Sequence, residues 1–263
     1  MAGRHTTTAG LFVPADSALH RLPPQCKLVA GFAFVLVVVA TPREAFWAFG
    51  AYAALLAGAA RLGRLPLGFV LRRLTIEAPF VAFAFFMPFF GQGDKVDVLG
   101  LPLYVDGLWA AWNILVKGTL GVATTVVLAG TTPVAELLRG MDRLHVPRVF
   151  TSIAGFMVRY LEVITDEMHR MSVARRSRGY DPRWLWQAKA VAVSAGALFI
   201  RSYERGERVY LAMVSRGFDG SLPVLAEEGG APARQWAFSL ALPAAAAAIA
   251  VTAIVQLGRA SVS

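Results

Sequence analysis
The amino-acid sequence predicts an all-α integral membrane protein, with about five transmembrane helices and a cytoplasmic domain of long amphipathic helices. Three observations predict it. Hydrophobic residues make up 56% of the 263 and charged residues only 16%, less charge than the ~25% usual in soluble domains. Apolar runs recur at Leu28–Thr41, Ala45–Ala60, Leu74–Phe90, Leu108–Thr131 and Trp236–Leu257. Between the last two runs, residues 132–237 carry fifteen Lys or Arg against eleven Asp or Glu, with apolar residues at helical spacing.

The elements follow in order. Residues 1–26 are a polar N-terminal segment closed by Pro23-Pro24. Residues 27–131 hold transmembrane helices 1–4. The first two runs are short and separated only by Pro42-Arg43-Glu44, which reads as a tight helical hairpin; a soluble core hairpin is the alternative for those two alone. The third run contains Pro79 and Pro88, expected to kink it. Gly91–Gly107, with Val96–Val105 arranged around Gly100 and Pro102, suits a small hairpin. The fourth run is long enough to cross a bilayer alone. It stops at Thr131-Thr132-Pro133, because proline lacks a donor and biases its predecessor away from helix.

Residues 132–237 form the predicted cytoplasmic domain. Pro133 can open a helix at Val134–Leu144, which His145-Val146-Pro147 ends. From Arg148 to Arg178, Ile153, Phe156, Met157, Tyr160, Leu161 and Ile164 make an apolar face, while Arg159, Glu162, Asp166, Glu167 and Arg170 fall largely elsewhere. A second long helix runs from about Trp184 through Ser215. Its Ala188–Ile200 stretch is too short to assign to the bilayer. Residues 238–257 are the last transmembrane helix, and residues 258–263 a tail.

Charge orients the chain, because Lys and Arg collect in cytoplasmic loops. Residues 61–73 hold Arg61, Arg64, Arg72 and Arg73, whereas residues 91–107 hold Lys95 against Asp94, Asp97 and Asp106. The N-terminus and residues 132–237 are therefore expected in the cytoplasm and the C-terminus outside. A cleaved signal peptide is not expected, since bulky apolar sequence resumes directly after Arg43. No lipidation motif is present. The arginines alternate with acids and flank membrane spans, which argues against nucleic acid as a partner. No Gly-x-x-x-x-Gly-Lys-Ser/Thr loop occurs to cradle ATP phosphates. The four histidines, His5, His20, His145 and His169, are far apart and Cys26 is the only cysteine, so no metal-ligand set and no cofactor site is read in this chain. His145 is expected to face solvent from a turn, and Cys26 to pack.

Two charges fall inside apolar runs. Lys117 lies nine residues into the fourth run, about 14 Å deep at ~1.5 Å per residue. It faces the subunit interior, a partner helix or a transport path. Glu77 stands near Arg72 and Arg73, where local pairing is the simple expectation.

One phrase occurs twice, 38 residues apart: Ser177-Arg178-Gly179-Tyr180-Asp181 and Ser215-Arg216-Gly217-Phe218-Asp219. Each closes a predicted helix. Glycine just past a helix end takes the left-handed conformation, and arginine there complements the helix dipole. Capping accounts for one copy. The repeated aromatic and aspartate, with Ala174 and Ala212 in register, point to a second use. An arginine fixed on a helix end presents a planar five-donor fork to an acidic groove. Capping and docking both stand at this point.

The two Arg-Gly helix ends resemble the paired motifs, usually Ala-Arg-Gly, of the T components of energy-coupling factor (ECF) transporters. Further stretches resemble the cobalt-type CbiQ/EcfT family: His20 to Leu28, Thr131 to Gly140, Phe156-Met157-Val158-Arg159-Tyr160 and Arg201 to Arg208. The resemblance covers roughly residues 18–220, with Ser177 and Ser215 in place of the usual alanines. It implies a non-enzymatic coupling subunit in a bacterial plasma membrane. That subunit joins a substrate-binding membrane (S) subunit to two cytoplasmic ATPases that carry out ATP hydrolysis. It makes 132–237 the coupling domain and Arg178, Gly179, Arg216 and Gly217 the ATPase-docking residues, flanked by Ser177, Tyr180, Ser215 and Phe218. The implied cargo is cobalt, with nickel or a vitamin as alternatives. A self-sufficient transporter would instead show inverted repeats or paired intramembrane charges, and a membrane enzyme would show clustered His, Asp or Glu.

Overall fold
The computed structural model describes residues 12–90, 95–98, 101–180, 188–218 and 230–260. The order is α1 (Pro24–Ala40), α2 (Phe46–Leu62), α3 (Leu67–Arg73), a 3-10 turn (Leu74–Glu77), α4 (Ala78–Phe90), β1 (Lys95–Val98), β2 (Leu101–Tyr104), α5 (Val105–Thr131), α6 (Val134–Arg143), α7 (Arg148–Ser177), α8 (Ala188–Val214) and α9 (Ala233–Ala260). The chain forms two compact units, Met1–Gly140 with Gly229–Ser263, and Met141–Glu228.

Helices α5 and α9 are long and apolar enough to cross a membrane, and α1 and α2 are shorter apolar helices of 17 residues. Seventeen residues rise ~26 Å, at the short end of the spanning range. The expected hairpin is present. β1 and β2 pair antiparallel with Lys95 opposite Tyr104 and Val98 opposite Leu101, and β2 runs directly into α5.

The third apolar run is not one kinked helix. It opens as a 3-10 turn at Leu74–Glu77, and α4 starts at Ala78. The reason is Pro79. It has no N–H for the carbonyl four residues back, so the chain tightens before it and places it in a first turn, where no donor is required. Pro88 does lie inside α4.

The first unit is built on α1. Phe34 and Val38 of α1 meet Ala48, Phe49, Tyr52 and Leu56 of α2, Leu120 of α5, and Ala246 and Ala253 of α9 in one buried cluster. Cys26 is wholly buried, a packing residue as expected. α1 and α5 run antiparallel, and each supplies a lysine to the carboxyl end of the other. Lys27 Nζ on α1 donates to the Thr131 carbonyl (3.1 Å), to Thr132 Oγ1 (2.9 Å) and to the His20 carbonyl (3.4 Å). Lys117 Nζ on α5 donates to the Val39 carbonyl at 2.7 Å. The last carbonyls of a helix have no partner within it, so both lysines act as caps supplied from another helix. Between them Gly31 faces Thr124, whose methyl would stand 3.7 Å from a Cβ added at Gly31.

Glu77 is not held by Arg72 or Arg73. It is buried and accepts a hydrogen bond from Thr119 Oγ1 of α5 at 3.0 Å, while the Arg73 guanidinium lies over the Phe69 ring. A buried carboxylate requires a donor, and α5 brings one that sequence neighbours do not.

Within the second unit α7 packs on α8. Glu167 of α7 joins them, accepting from Arg170 at 2.8 Å and from Arg201 of α8 at 2.9 Å. α7 has no buried residue at all. Its predicted apolar face divides: Phe156, Tyr160 and Ile164 are half-buried, while Ile153, Met157 and Leu161 are exposed.

Two outcomes follow for the lysine caps. Lys27→Met is expected to lower detergent-phase stability by ~1.5–3 kcal/mol, the range for charge-assisted hydrogen bonds. Lys117→Met, losing one acceptor, should cost less. Because the caps lie at opposite ends of the helix pair, the double variant should be additive within ~0.5 kcal/mol. Thermal unfolding of the four proteins measures all three terms, and a strong coupling would show that the ends are not independent.

Candidate functional site: two arginine-capped helix ends
The carboxyl ends of α7 and α8 are built alike. Gly179 has φ +76° and Gly217 φ +82°, both in the left-handed region that a Cβ disfavours. At the first end the Gly179 amide donates to the Arg176 carbonyl (2.9 Å) and the Tyr180 amide to the Arg175 carbonyl (3.1 Å). At the second, Gly217 donates to Val214 (2.9 Å) and Phe218 to Met213 (3.0 Å). Each pair is the Schellman arrangement, which satisfies two carbonyls that the helix leaves open. The serines match as well. Ser177 Oγ donates to the Val173 carbonyl at 3.1 Å and Ser215 Oγ to Leu211 at 2.8 Å. With the hydroxyl proton turned back onto its own helix, serine here presents little more than an alanine would.

The aromatic residue stands where a cap can use it, a place that the sequence reading assigns to docking alone. In a Schellman end, the residue after the left-handed position commonly makes an apolar contact with the one five back or its neighbour. Tyr180 and Phe218 occupy that position, and both are half-buried. Ala174, Arg175, Ala212 and Met213 stand at the matching positions in the helices. Asp181 and Asp219 lie outside the described residues.

The hydrogen-bond pattern also occurs at two other helix ends. Arg64 (φ +52°) after α2 and His145 (φ +60°) after α6 take the glycine's place, with Leu65 donating to Ala60 and Val146 to Met141. His145 is exposed, as expected for a turn residue. Cap geometry is therefore shared by four helices. What sets α7 and α8 apart is the pairing of glycine with an arginine just before it. Arg178 and Arg216 are exposed, and among the described residues neither enters a side-chain hydrogen bond or ion pair. Their charge complements the negative helix end, and their donors are open to an incoming acidic or carbonyl group.

The electrostatics of the unit centre on Glu167, about three turns back from the first end at ~3.6 residues per turn. Hydrogen bonds from Arg170 and then Arg201 hold the Glu167 carboxyl below its ordinary 4.5. Among the described residues, no group of three or more His, Cys, Asp or Glu comes together.

Residues 15–225 match the family model described as cobalt transport protein, CbiQ. The chain is 26% identical over 225 residues to the energy-coupling factor transporter transmembrane protein EcfT of Bacillus selenitireducens, covering 80% of this chain and 83% of that one. It is 32% identical over 165 residues to an uncharacterized protein of Methanocaldococcus jannaschii, covering 61% of this chain and 58% of that one. It is also 28% identical over 135 residues to a Methanocorpusculum labreanum protein named as a fused cobalt transport protein CbiMQ, covering 51% and 22% respectively.

The caps give two measurable expectations. Gly179→Ala or Gly217→Ala should cost ~1–2 kcal/mol locally and speed hydrogen exchange at the Tyr180 or Phe218 amide, whereas asparagine should be milder. The Glu167 clasp has a pH sign. Its folded value lies below the unfolded one, so its contribution is complete above the ordinary 4.5 and is lost as pH falls through the depressed value. A spin-label distance between α7 and α8 should hold at neutral pH and lengthen only below that point. Glu167→Gln should remove the transition.

Proposed function
Because this chain belongs to the CbiQ cobalt transport protein family, which is embedded in the membrane, we propose that it is the coupling (T) subunit of an ATP-driven ECF-type uptake transporter. Arg178 with Gly179, and Arg216 with Gly217, each seat in a groove of one cytoplasmic ATPase. Ser177, Tyr180, Ser215 and Phe218 shape the two contacts. The observation that carries this reading is the duplication itself: two ends alike in φ, hydrogen-bond pattern and exposure, each presenting a guanidinium that is uncommitted among the described residues. One such end is a cap, whereas two with the same arginine match two copies of one partner.

The proposed topology has five spans, with the N-terminus and residues 132–237 in the cytoplasm of a bacterial plasma membrane. The charge distribution supports it, with Arg61, Arg64, Arg72 and Arg73 on one side and Asp94, Asp97 and Asp106 on the other. The exposed apolar faces of α7 and α8 fit a substrate-binding membrane subunit. The name of the CbiMQ relative favours cobalt as cargo, with nickel as the chemically adjacent candidate. Lys117 is committed to the Val39 carbonyl, which argues against a place in a transport path.

The test is co-purification of the complex from native membranes. Arg178→Ala with Arg216→Ala should abolish recovery of the ATPases, or leave them bound with hydrolysis uncoupled from uptake. The chain itself should remain in the membrane. Truncating one member of an interfacial charge contact costs ~2–5 kcal/mol, so each single variant should already weaken assembly more than tenfold. Lysine should rescue poorly, because it lacks the planar fork. Normal uptake by the double alanine variant would overturn the docking role. Comparing cobalt- with nickel-stimulated hydrolysis by the intact complex decides the cargo.

A further inference from the structure
A cavity of about 650 Å³ opens on the side of the first unit, among α1, α2, α5 and α9. Its walls are almost wholly apolar, and along α2 the small residues Ala51, Ala54, Gly58 and Ala59 line it together with Leu55, Leu56 and Leu62. The few polar side chains at its edge are already committed. Lys27 binds the end of α5, and Thr124 and Thr131 donate to carbonyls of their own helix. Ser239 likewise donates to the Trp236 carbonyl, and no group of metal-ligating side chains comes together among the described residues.

Two measures of the groove describe its occupant. The first is length. From Ala51 to Leu62 is eleven residues of helix, or ~16 Å at 1.5 Å per residue. That is about half of the ~30 Å hydrocarbon core. A transmembrane helix of a partner needs the whole thickness, whereas one acyl chain needs one leaflet. The second is charge. The lining residues at one end stand next to arginines from three elements: Arg21 between Leu19 and Leu22, Arg61 beside Leu62 with Arg64 just beyond, and Arg234 one turn before Phe238. Among the described residues, Arg21 alone of these forms an ion pair, with Asp16 at 2.8 and 2.9 Å. Arg64 stands near enough to Asp16 to help hold its carboxyl below the usual range, after the larger effect of Arg21. The other end of the groove, near Ala51, has no such cluster among the described residues.

We propose that this groove holds one acyl chain of an anionic membrane phospholipid, with the phosphate drawn to the Arg61–Arg64–Arg234 end. The inference rests on the chain being embedded in a membrane and not on the ATPase reading. An anionic headgroup gains about 1 kcal/mol per nearby arginine. The small residues of α2 leave the width that the chain fills.

The test uses the full-length chain purified in detergent with equal phosphatidylglycerol and phosphatidylcholine, with native mass spectrometry reading the retained lipid. One phosphatidylglycerol should remain bound, in preference to phosphatidylcholine. Gly58→Phe should remove it, since no atom stands within 4 Å of a Cβ built there and the ring has room to fill the groove. Arg61→Gln with Arg64→Gln, at exposed positions that do not perturb packing, should lower the phosphatidylglycerol preference by about thirtyfold. Equal retention of the two lipids by the unaltered chain would overturn the proposal, as would an unchanged adduct in Gly58→Phe. Cross-linking of Gly58→Cys to a partner membrane subunit would also overturn it, by showing a protein helix in the groove. None of these readouts involves ATP hydrolysis, so their failure is separable from failure of the coupling role.

Discussion
The first unit depends on the exchange of lysines between α1 and α5. A helix carboxyl end inside a bilayer has carbonyls that water cannot reach. Here each of two antiparallel helices meets that need for the other, Lys27 at Thr131 and Lys117 at Val39. The exchange fixes the register of the pair at both ends. It also accounts for two cations in an apolar sequence without assigning either to a path for cargo. The neighbouring elements then take their places. Thr41 and Tyr52 bond at the far end, where Tyr52 also reaches the Ala246 carbonyl of α9. At the near end Pro133 follows directly on the clasped Thr132. α6 then packs so closely on the start of α1 that a Cβ at Gly140 would stand 3.0 Å from the Gln25 amide nitrogen.

Much of this was legible in the sequence, for a physical reason that also marks where legibility stops. Features set by local chemistry were readable. Gly179 and Gly217 mark left-handed helix ends, alternation around Gly100 and Pro102 marks a hairpin, and run length marks α5 and α9. Features set by a distant partner were not. Lys27 and Thr131 are 104 residues apart, and Glu77 and Thr119 are 42 apart. Local pattern places such charges in a run but does not name what satisfies them, so Glu77 reads as a partner of its arginine neighbours. Pro79 is an intermediate case. Its effect is local, but whether a proline kinks a helix or begins one depends on what precedes it.

The doubled phrase shows a different limit. Four helices end with the same hydrogen bonds, at Arg64, His145, Gly179 and Gly217. Geometry alone therefore does not single out the α7 and α8 ends, and the aromatic that looks dispensable to a cap occupies a position where a cap can use it. What sets the α7 and α8 ends apart is glycine at the left-handed position with an arginine directly before it. Lys27, Lys117, Arg170 and Arg201 all spend their donors inside the chain. Among the described residues, Arg178 and Arg216 do not.

The second unit also bears on how the protein must be made. A thirty-residue helix with no buried side chain, beside a neighbour that exposes Phe199, Ile200, Tyr203 and Leu211, resembles an interface awaiting its other half. Surface of that kind is what chaperones retain and quality-control proteases cut. Under the coupling role proposed above, synthesis of this chain in excess of its partners would yield short-lived protein, and cellular abundance would follow the scarcest subunit. In that complex, stoichiometry would be set after translation by the exposed faces of α7 and α8.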